Sequence, residues 1–425
     1  TGHSFATVSA PYSGGGGGSS GNVDATASTS GGTTTATVEV RTVTGKSGIA
    51  SGNVTDSQIA DAIRDAEDAA HQKGTRSALE ISVDTGGDAS GASLTISQTS
   101  FHAVAGSSVG SLTITTALGS LTFNRRAIEA IDSSAQGAVV INVRKADTSG
   151  LSDSDKAKIG DRPVYDFTVT SGDTVISDFG GGTVTVSLPY TPAAGEDINS
   201  IVIYYISGSG ELVAMPNCIY DAKTGTVTFT TTHFTVYAVA YNNISFADVS
   251  GGYEDSVNFV AARGIMNGTG NNLFEPDITM TRAMFVSVLC RLSGDRESYE
   301  NPFTDVSSGV WYETPVAWAA SNSISSGTGS GLFAPKRNIT REQLAVMLYN
   351  YAIYMGYDLS IGGDTNALSY NDAAAVSAYA YSALQWACRT GIMSGDGDGN
   401  LNPQRSVTRA GATAMLQRFI ENVTV

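Results

Sequence analysis

A chain of 425 residues is long enough for two or three domains with cores of their own. Its 24 Lys and Arg stand against 40 Asp and Glu, a net charge of −16, which argues against a basic face for nucleic acid. No apolar run approaches the roughly 20 residues that a membrane-spanning helix needs.

Residues 1–34 are low in complexity, with five consecutive glycines from Gly14 to Gly18. Such a segment buries too little apolar surface to offset ordering, so a flexible linker is expected. An extended arm pairing with a neighbouring sheet edge is the alternative. Thr1 opens without a leader, which reads as a processed product or a piece of a longer precursor.

Residues 35–173 read as a β-rich α+β domain. Alternation marks strands around Ala36–Val40, Leu79–Val83, Leu94–Ile96, Leu112–Ile114, Val139–Val143 and Tyr165–Val169. Thr55 with Gln58 three residues on forms a capping box, Ile59, Ile63, Ala66 and Ala70 follow at helical spacing, and Gly74 supplies the stop. A second helix starts near Asn124, with Ala127, Ile128 and Ile131 on one face. Residues 174–243 read as a β-sandwich-like module. Val184, Val186 and Leu188 alternate, and Asp221–Gly225 is a hairpin connection into Thr226–Phe229.

From Phe246 onward one pattern recurs three times. It opens with Phe246-Ala247-Asp248-Val249, Phe303-Thr304-Asp305-Val306 and Tyr370-Asn371-Asp372-Ala373. A helix with one large aromatic follows (Phe259, Trp318, Trp386), then a small turn ending at Gly268, Gly327 or Gly395. A Pro loop leads to a second helix opened by Thr281-Arg282, Thr340-Arg341 and Thr408-Arg409. The units fall at 244–299, 300–360 and 361–425, and such an array buries surface between its copies. Each opening Asp is suited to cap the first helix, and each Thr the second. The arginines stand where the macrodipole disfavours a cation. Their partner is an internal carboxylate or a bound anionic ligand.

The FADV and FTDV openings, the GIMNG and GIMSG turns and the TRAM, TREQ and TRAG helix starts resemble S-layer homology repeats. The resemblance implies a fold class of α+β multidomain type: β-rich N-terminal modules, then an all-α pseudo-threefold trimer of repeats. It implies a non-catalytic surface protein in the bacterial cell wall or S-layer, bound to pyruvylated secondary cell-wall polysaccharide. Arg282, Arg341 and Arg409 would contact the ketal carboxylate. Phe259, Trp318, Trp386, Gly268, Gly327 and Gly395 would shape the sugar pocket. The β-rich half would be a stalk, or would self-associate in a lattice. The copies depart from the pattern unequally: the acidic residue of TRAE is shifted or absent, YNDA is weak, and the third copy is spaced more widely. The grooves are therefore expected to differ.

Chemistry elsewhere is sparse. His233-Phe234-Thr235 resembles the self-cleavage motif of GAIN and ZU5 modules, in which His233 would help Thr235 attack the preceding carbonyl. A self-processing protein cut at Phe234–Thr235 is one alternative reading; the anchoring fragment of a larger exoenzyme is another. His3, His71 and His102 lie in unrelated contexts, and the three cysteines are far apart. Cys290 and Cys388 read as buried hydrophobes. Asp396-Gly397-Asp398-Gly399-Asn400 fails as a calcium loop, with Leu401 and Val407 where an EF-hand needs Gly and Glu. No cofactor or metal is expected.

Overall fold

The computed structural model describes residues 26–424 except 87–88, 296, 361–362 and 364–365, so the Gly14–Gly18 run and His3 lie outside the described residues. The chain enters through β1 (Thr26–Ser30) and β2 (Thr33–Arg41), an antiparallel hairpin turning at Gly31 and Gly32. Residues 26–34, expected within the linker, are thus sheet. Next come β3 (Val43–Thr44), β4 (Ile49–Asn53) and α1 (Asp56–Lys73). The Thr55–Gln58 capping box and the left-handed Gly74 bound α1 as the sequence indicates. There follow β5 (Arg76–Asp84), β6 (Gly91–Ile96), α2 (Gln98–Gly106), β7 (Ser111–Thr116) and β8 (Gly119–Asn124). Asn124 caps α3 (Arg125–Ser134), whose Ala127, Ile128 and Ile131 are buried. The half closes with β9 (Val139–Lys145), α4 (Asp153–Ile159), β10 (Val164–Ser171), β11 (Thr174–Val175), β12 (Val184–Pro189), β13 (Ile201–Ile206), β14 (Leu212–Ala214), β15 (Ile219–Asp221), β16 (Thr226–Thr231) and β17 (Val236–Tyr241).

These strands make two sheets, ordered β1-β2-β5-β7-β8-β12-β16-β15 and β14-β13-β17-β10-β9-β6-β4-β3. The parallel pairs β2·β5 and β5·β7 need crossovers, and α1 and α2 lie in them. Between the sheets, Phe123 of β8, Phe167 of β10, Phe179 and Phe234 pack ring against ring at 5.0–6.0 Å. Because β12 lies between β8 and β16, and β17 beside β10, the segments 35–173 and 174–243 share both sheets.

The C-terminal half holds α5 (Glu254–Ala262), α6 (Arg282–Ser293), α7 (Glu313–Ser321), α8 (Arg341–Met355), α9 (Tyr381–Arg389) and α10 (Arg409–Val423). The first half is β-rich as expected, but the expected all-α pseudo-threefold trimer is overturned. The N-terminal half is one pair of sheets, and the repeats combine helices with bridged extended segments. The Met280 N–H donates to the Val407 carbonyl, Val407 to Ile339, and Ile339 to Met280, at 2.8–3.0 Å. Bridges Thr279–Thr408, Thr281–Asn338 and Thr340–Ser406 flank this cycle. Apolar residues just before each helix start favour extended backbone there, which a helix-only reading omits.

Arg263, 2% exposed at the end of α5, ties the two halves together. Its guanidinium donates to the carbonyls of Cys218, Asn199, Ile201 and Phe259 and lies 3.5 Å from the Phe259 ring centroid. Burial pulls its pKa down, and carbonyl dipoles and the ring face solvate the charge in direct contact, with Glu421 and Asp197 acting from further away. Nearby, the Asn242 side chain donates to the Ala262 carbonyl, and the Thr230 hydroxyl to that of Thr424. Replacing Arg263 by Ala should destabilise the chain by more than about 3 kcal/mol, since several hydrogen bonds to a charged group, each about 1.5–3 kcal/mol, are lost. Arg263→Lys should not restore it, because an ammonium cannot fork. Urea midpoints of both variants check this.

Candidate functional site

The repeated motif becomes a site through two hydrogen-bonded connections that meet on one residue. Asp248 accepts the N–H groups of Phe274 and Glu275, Asp305 those of Phe333 and Ala334, and Asp372 those of Leu401 and Asn402, all at 2.7–2.8 Å. These carboxylates were expected to cap the first helix of each copy. They instead clamp the Pro loop of their own copy, because Glu275, Ala334 and Asn402 turn at φ +57°, +59° and +54° and aim adjacent N–H groups at one carboxylate. The left-handed turn would strain a non-glycine residue; the paired bonds hold it.

The carbonyl of the same residue receives an arginine from another copy. Arg282 Nε donates to Phe333, Arg341 to Leu401 and Arg409 to Phe274, at 2.8–2.9 Å. Their Nη2 groups reach the Ser325 hydroxyl and the Ser394 and Asn267 carbonyls. The guanidinium carbons of Arg282 and Arg409 lie 4.8 and 4.3 Å from the Phe333 and Phe274 ring centroids. The charge at each helix start is therefore met directly by carbonyls and, for Arg282, a hydroxyl, and among the described residues no carboxylate forms an ion pair with it. The helix N–H groups are also consumed. Those of Arg282 and Ala283 reach the Arg337 and Pro335 carbonyls, with equivalent bonds at Arg341 and Arg409. Thr281, Thr340 and Thr408 cap as expected.

Three grooves lie along these joints. One beside Gly268, of about 570 Å³, takes Arg409 from the third copy and Trp311 from the second. The groove beside Gly327, of about 610 Å³, takes Arg282 and Tyr379. The groove beside Gly395, of about 320 Å³, takes Arg341 and, among the described residues, has no aromatic in its lining. The glycines press on their own copy's opening aromatic: a Cβ on Gly268 or Gly327 would meet Phe246 or Phe303 at 2.6–2.7 Å, and one on Gly395 would overlap Tyr370.

The structure thus brings each helix-start arginine to a turn glycine. Phe259, Trp318 and Trp386 are instead 1–5% exposed and packed in the core, lining none of these grooves. Sequence reading missed Trp311 and Tyr379, 63% and 61% exposed. The signal was their equivalent position, just ahead of the first helix, where the first copy has Gly252. Glu342 was missed too. Buried at 2% exposure, its carboxylate accepts from the Ser377 N–H, the Ser377 hydroxyl and the Tyr379 hydroxyl, fixing the aromatic wall.

Elsewhere, Thr235 Oγ1 donates to the Ile206 carbonyl at 3.1 Å, and the His233 ring meets the edge of Tyr205 at 5.4 Å. Burial lowers the His233 pKa, against an opposing effect of Asp178. Phe234 is held in the aromatic core. The Asp396 carboxylate accepts from the Asp398 and Asn400 N–H groups and the Asn402 side chain, a turn that uses both its oxygens. Cys218 and Cys388 are buried free thiols, and Cys290 is half-buried; burial raises Cys290 and Cys388 to about 11.

The S-layer homology domain family matches at residues 245–284, 302–345 and 369–412. The chain is 29% identical over 181 residues to a surface-layer 125 kDa protein of Lysinibacillus sphaericus, covering 42% of this chain and 15% of that one. It is 26% identical over 212 residues to the S-layer protein sap of Bacillus anthracis (48% and 25%) and 29% identical over 248 residues to an amylopullulanase of Thermoanaerobacterium thermosulfurigenes (56% and 13%). The chain therefore spans a quarter or less of the length of these relatives.

Two outcomes are expected. The N–H of Phe274, foremost, and that of Glu275 hold the Asp248 carboxyl below its usual range, against opposing burial. A depressed folded pKa stabilises above the unfolded value, about 3.9, and that stability is lost as the pH falls through the folded value. Asp248→Asn should lower the urea midpoint at pH 7, and the difference from wild type should shrink as the pH drops below the carboxylate range. Second, the purified chain should stay a single full-length band on denaturing gels after prolonged incubation. Fragments ending at Phe234 would restore self-cleavage.

Proposed function

We propose that this chain, which carries three S-layer homology domains within residues 245–412, anchors a bacterial protein at the cell surface by binding anionic wall polysaccharide. The carrying observation is the set of grooves between copies, each joining a turn glycine to arginines, two of them with an exposed aromatic wall. An exposed ring offers a sugar an apolar face, as Trp311 and Tyr379 do here. Guanidinium groups suit a carboxylate such as that of a pyruvate ketal. In this reading Arg282, Arg341 and Arg409 with Gly268, Gly327 and Gly395 frame the grooves, while Phe259, Trp318 and Trp386 support them from the core.

The paired sheets serve as a stalk or lattice module without chemistry of their own, set on the anchor by Arg263. The match to an amylopullulanase supports a second reading, in which the chain anchors a catalytic domain elsewhere in a longer protein. Both readings share one test. Wall polymer purified from an S-layer-bearing bacterium should retain the chain in a pull-down, and de-pyruvylated polymer should retain clearly less. Retention by neither polymer overturns the anchoring role.

A further inference from the structure

Each groove holds a second arginine whose side chain is little engaged within the fold. Arg337 lines the groove beside Gly327, Arg405 the groove beside Gly395, and Arg291 the groove beside Gly268. All three are exposed. Among the described residues, the side chains of Arg337 and Arg405 have no hydrogen bond or ion pair, and Arg291 has one bond of 3.4 Å to the Ile265 carbonyl. Carboxylates are near but committed elsewhere. Glu342 is saturated by Ser377 and Tyr379, and Asp396 by its own turn.

Each of these cations also stands beside a like charge. Burial lowers the pKa of Arg282, Arg341 and Arg409, and Arg337, Arg405 and Arg291 respectively lower it further by repulsion. Two guanidinium groups facing one groove repel each other until an anion enters. The inner one is already bound to carbonyls, so the outer one has its donors free.

We propose that Arg291, Arg337 and Arg405, rather than the helix-start arginines, bind the carboxylate of the polysaccharide. The helix-start arginines are positioning residues that join one copy to the next. This rests on the anchoring reading and assigns its charge recognition. It also separates the grooves. Arg337 and Arg405 stand two residues beyond Pro335 and Pro403, on the loop. The first copy has Ile278 at that place and presents its cation from α6 instead, in the groove that Trp311 also lines. The groove beside Gly268 therefore meets its ligand's carboxylate from a different direction.

Titration calorimetry with short oligosaccharides released from the wall polymer avoids the avidity of the intact chain. In the variant carrying Arg291→Gln, Arg337→Gln and Arg405→Gln, affinity should fall about tenfold or more, the loss of a hydrogen bond to a charged group. Its salt dependence should flatten and its melting temperature stay as in wild type. Arg282→Gln should lower the melting temperature, as a joint between copies would. De-pyruvylated and carboxyl-reduced oligosaccharides locate the charge. Weakening by both treatments assigns a pyruvate ketal, and weakening by reduction alone assigns a uronate; either supports the proposal. Equal affinity of the triple variant and wild type overturns it and leaves anchoring intact. Failure of the wild type to bind any of the oligosaccharides overturns the anchoring reading itself.

Discussion

One residue per copy, Phe274, Phe333 or Leu401, is held from both sides: its N–H by an aspartate of its own copy, its carbonyl by an arginine of another. Much of the C-terminal half depends on this double attachment. Bonds to charged groups are among the stronger ones available, and here they hold a left-handed turn that would otherwise be strained. The aspartate fixes the Pro loop, the loop supplies carbonyls to the next helix start, and the arginine closes the joint. Because Arg409 returns to Phe274, the chain of joints has no free end among the three copies.

The same solution, an arginine dissolved in carbonyls, recurs where the repeats meet the sheets. Arg263 has no counterpart in the other copies, where Asn322 and Thr390 stand at the equivalent helix ends. The first copy is thereby specialised for docking the β-rich half, and the other two keep their helix ends for local contacts. Asn322 donates to the Trp318 carbonyl and Thr390 to that of Trp386. A buried guanidinium needs several acceptors at fixed angles, so this contact also fixes how the sheets sit on the repeats.

Pairing charge with carbonyls rather than carboxylates leaves the grooves net positive within an acidic protein. Within an acidic chain, arginines gathered in a groove set up a local positive potential. The grooves also differ in lining: among the described residues one has no aromatic wall, and one has its outer cation on a helix.

The sequence determined what depends on neighbours within a turn or two. The Thr55–Gln58 cap, the alternating strands and the Thr caps of α6, α8 and α10 were legible in this way. The low-complexity strand β1 was not, because Thr26–Ser30 has little apolar content and is ordered mainly by pairing with β2. Nor could the sequence say which groups the opening aspartates and helix-start arginines would hold, since those partners lie 26 to 142 residues away. The large aromatics, expected to shape the sugar pocket, pack in the core, while the exposed Trp311 and Tyr379 went unremarked. Local pattern shows that a side chain is aromatic or charged. Only the packing of one copy against the next decides whether that side chain is buried, saturated or left facing a groove.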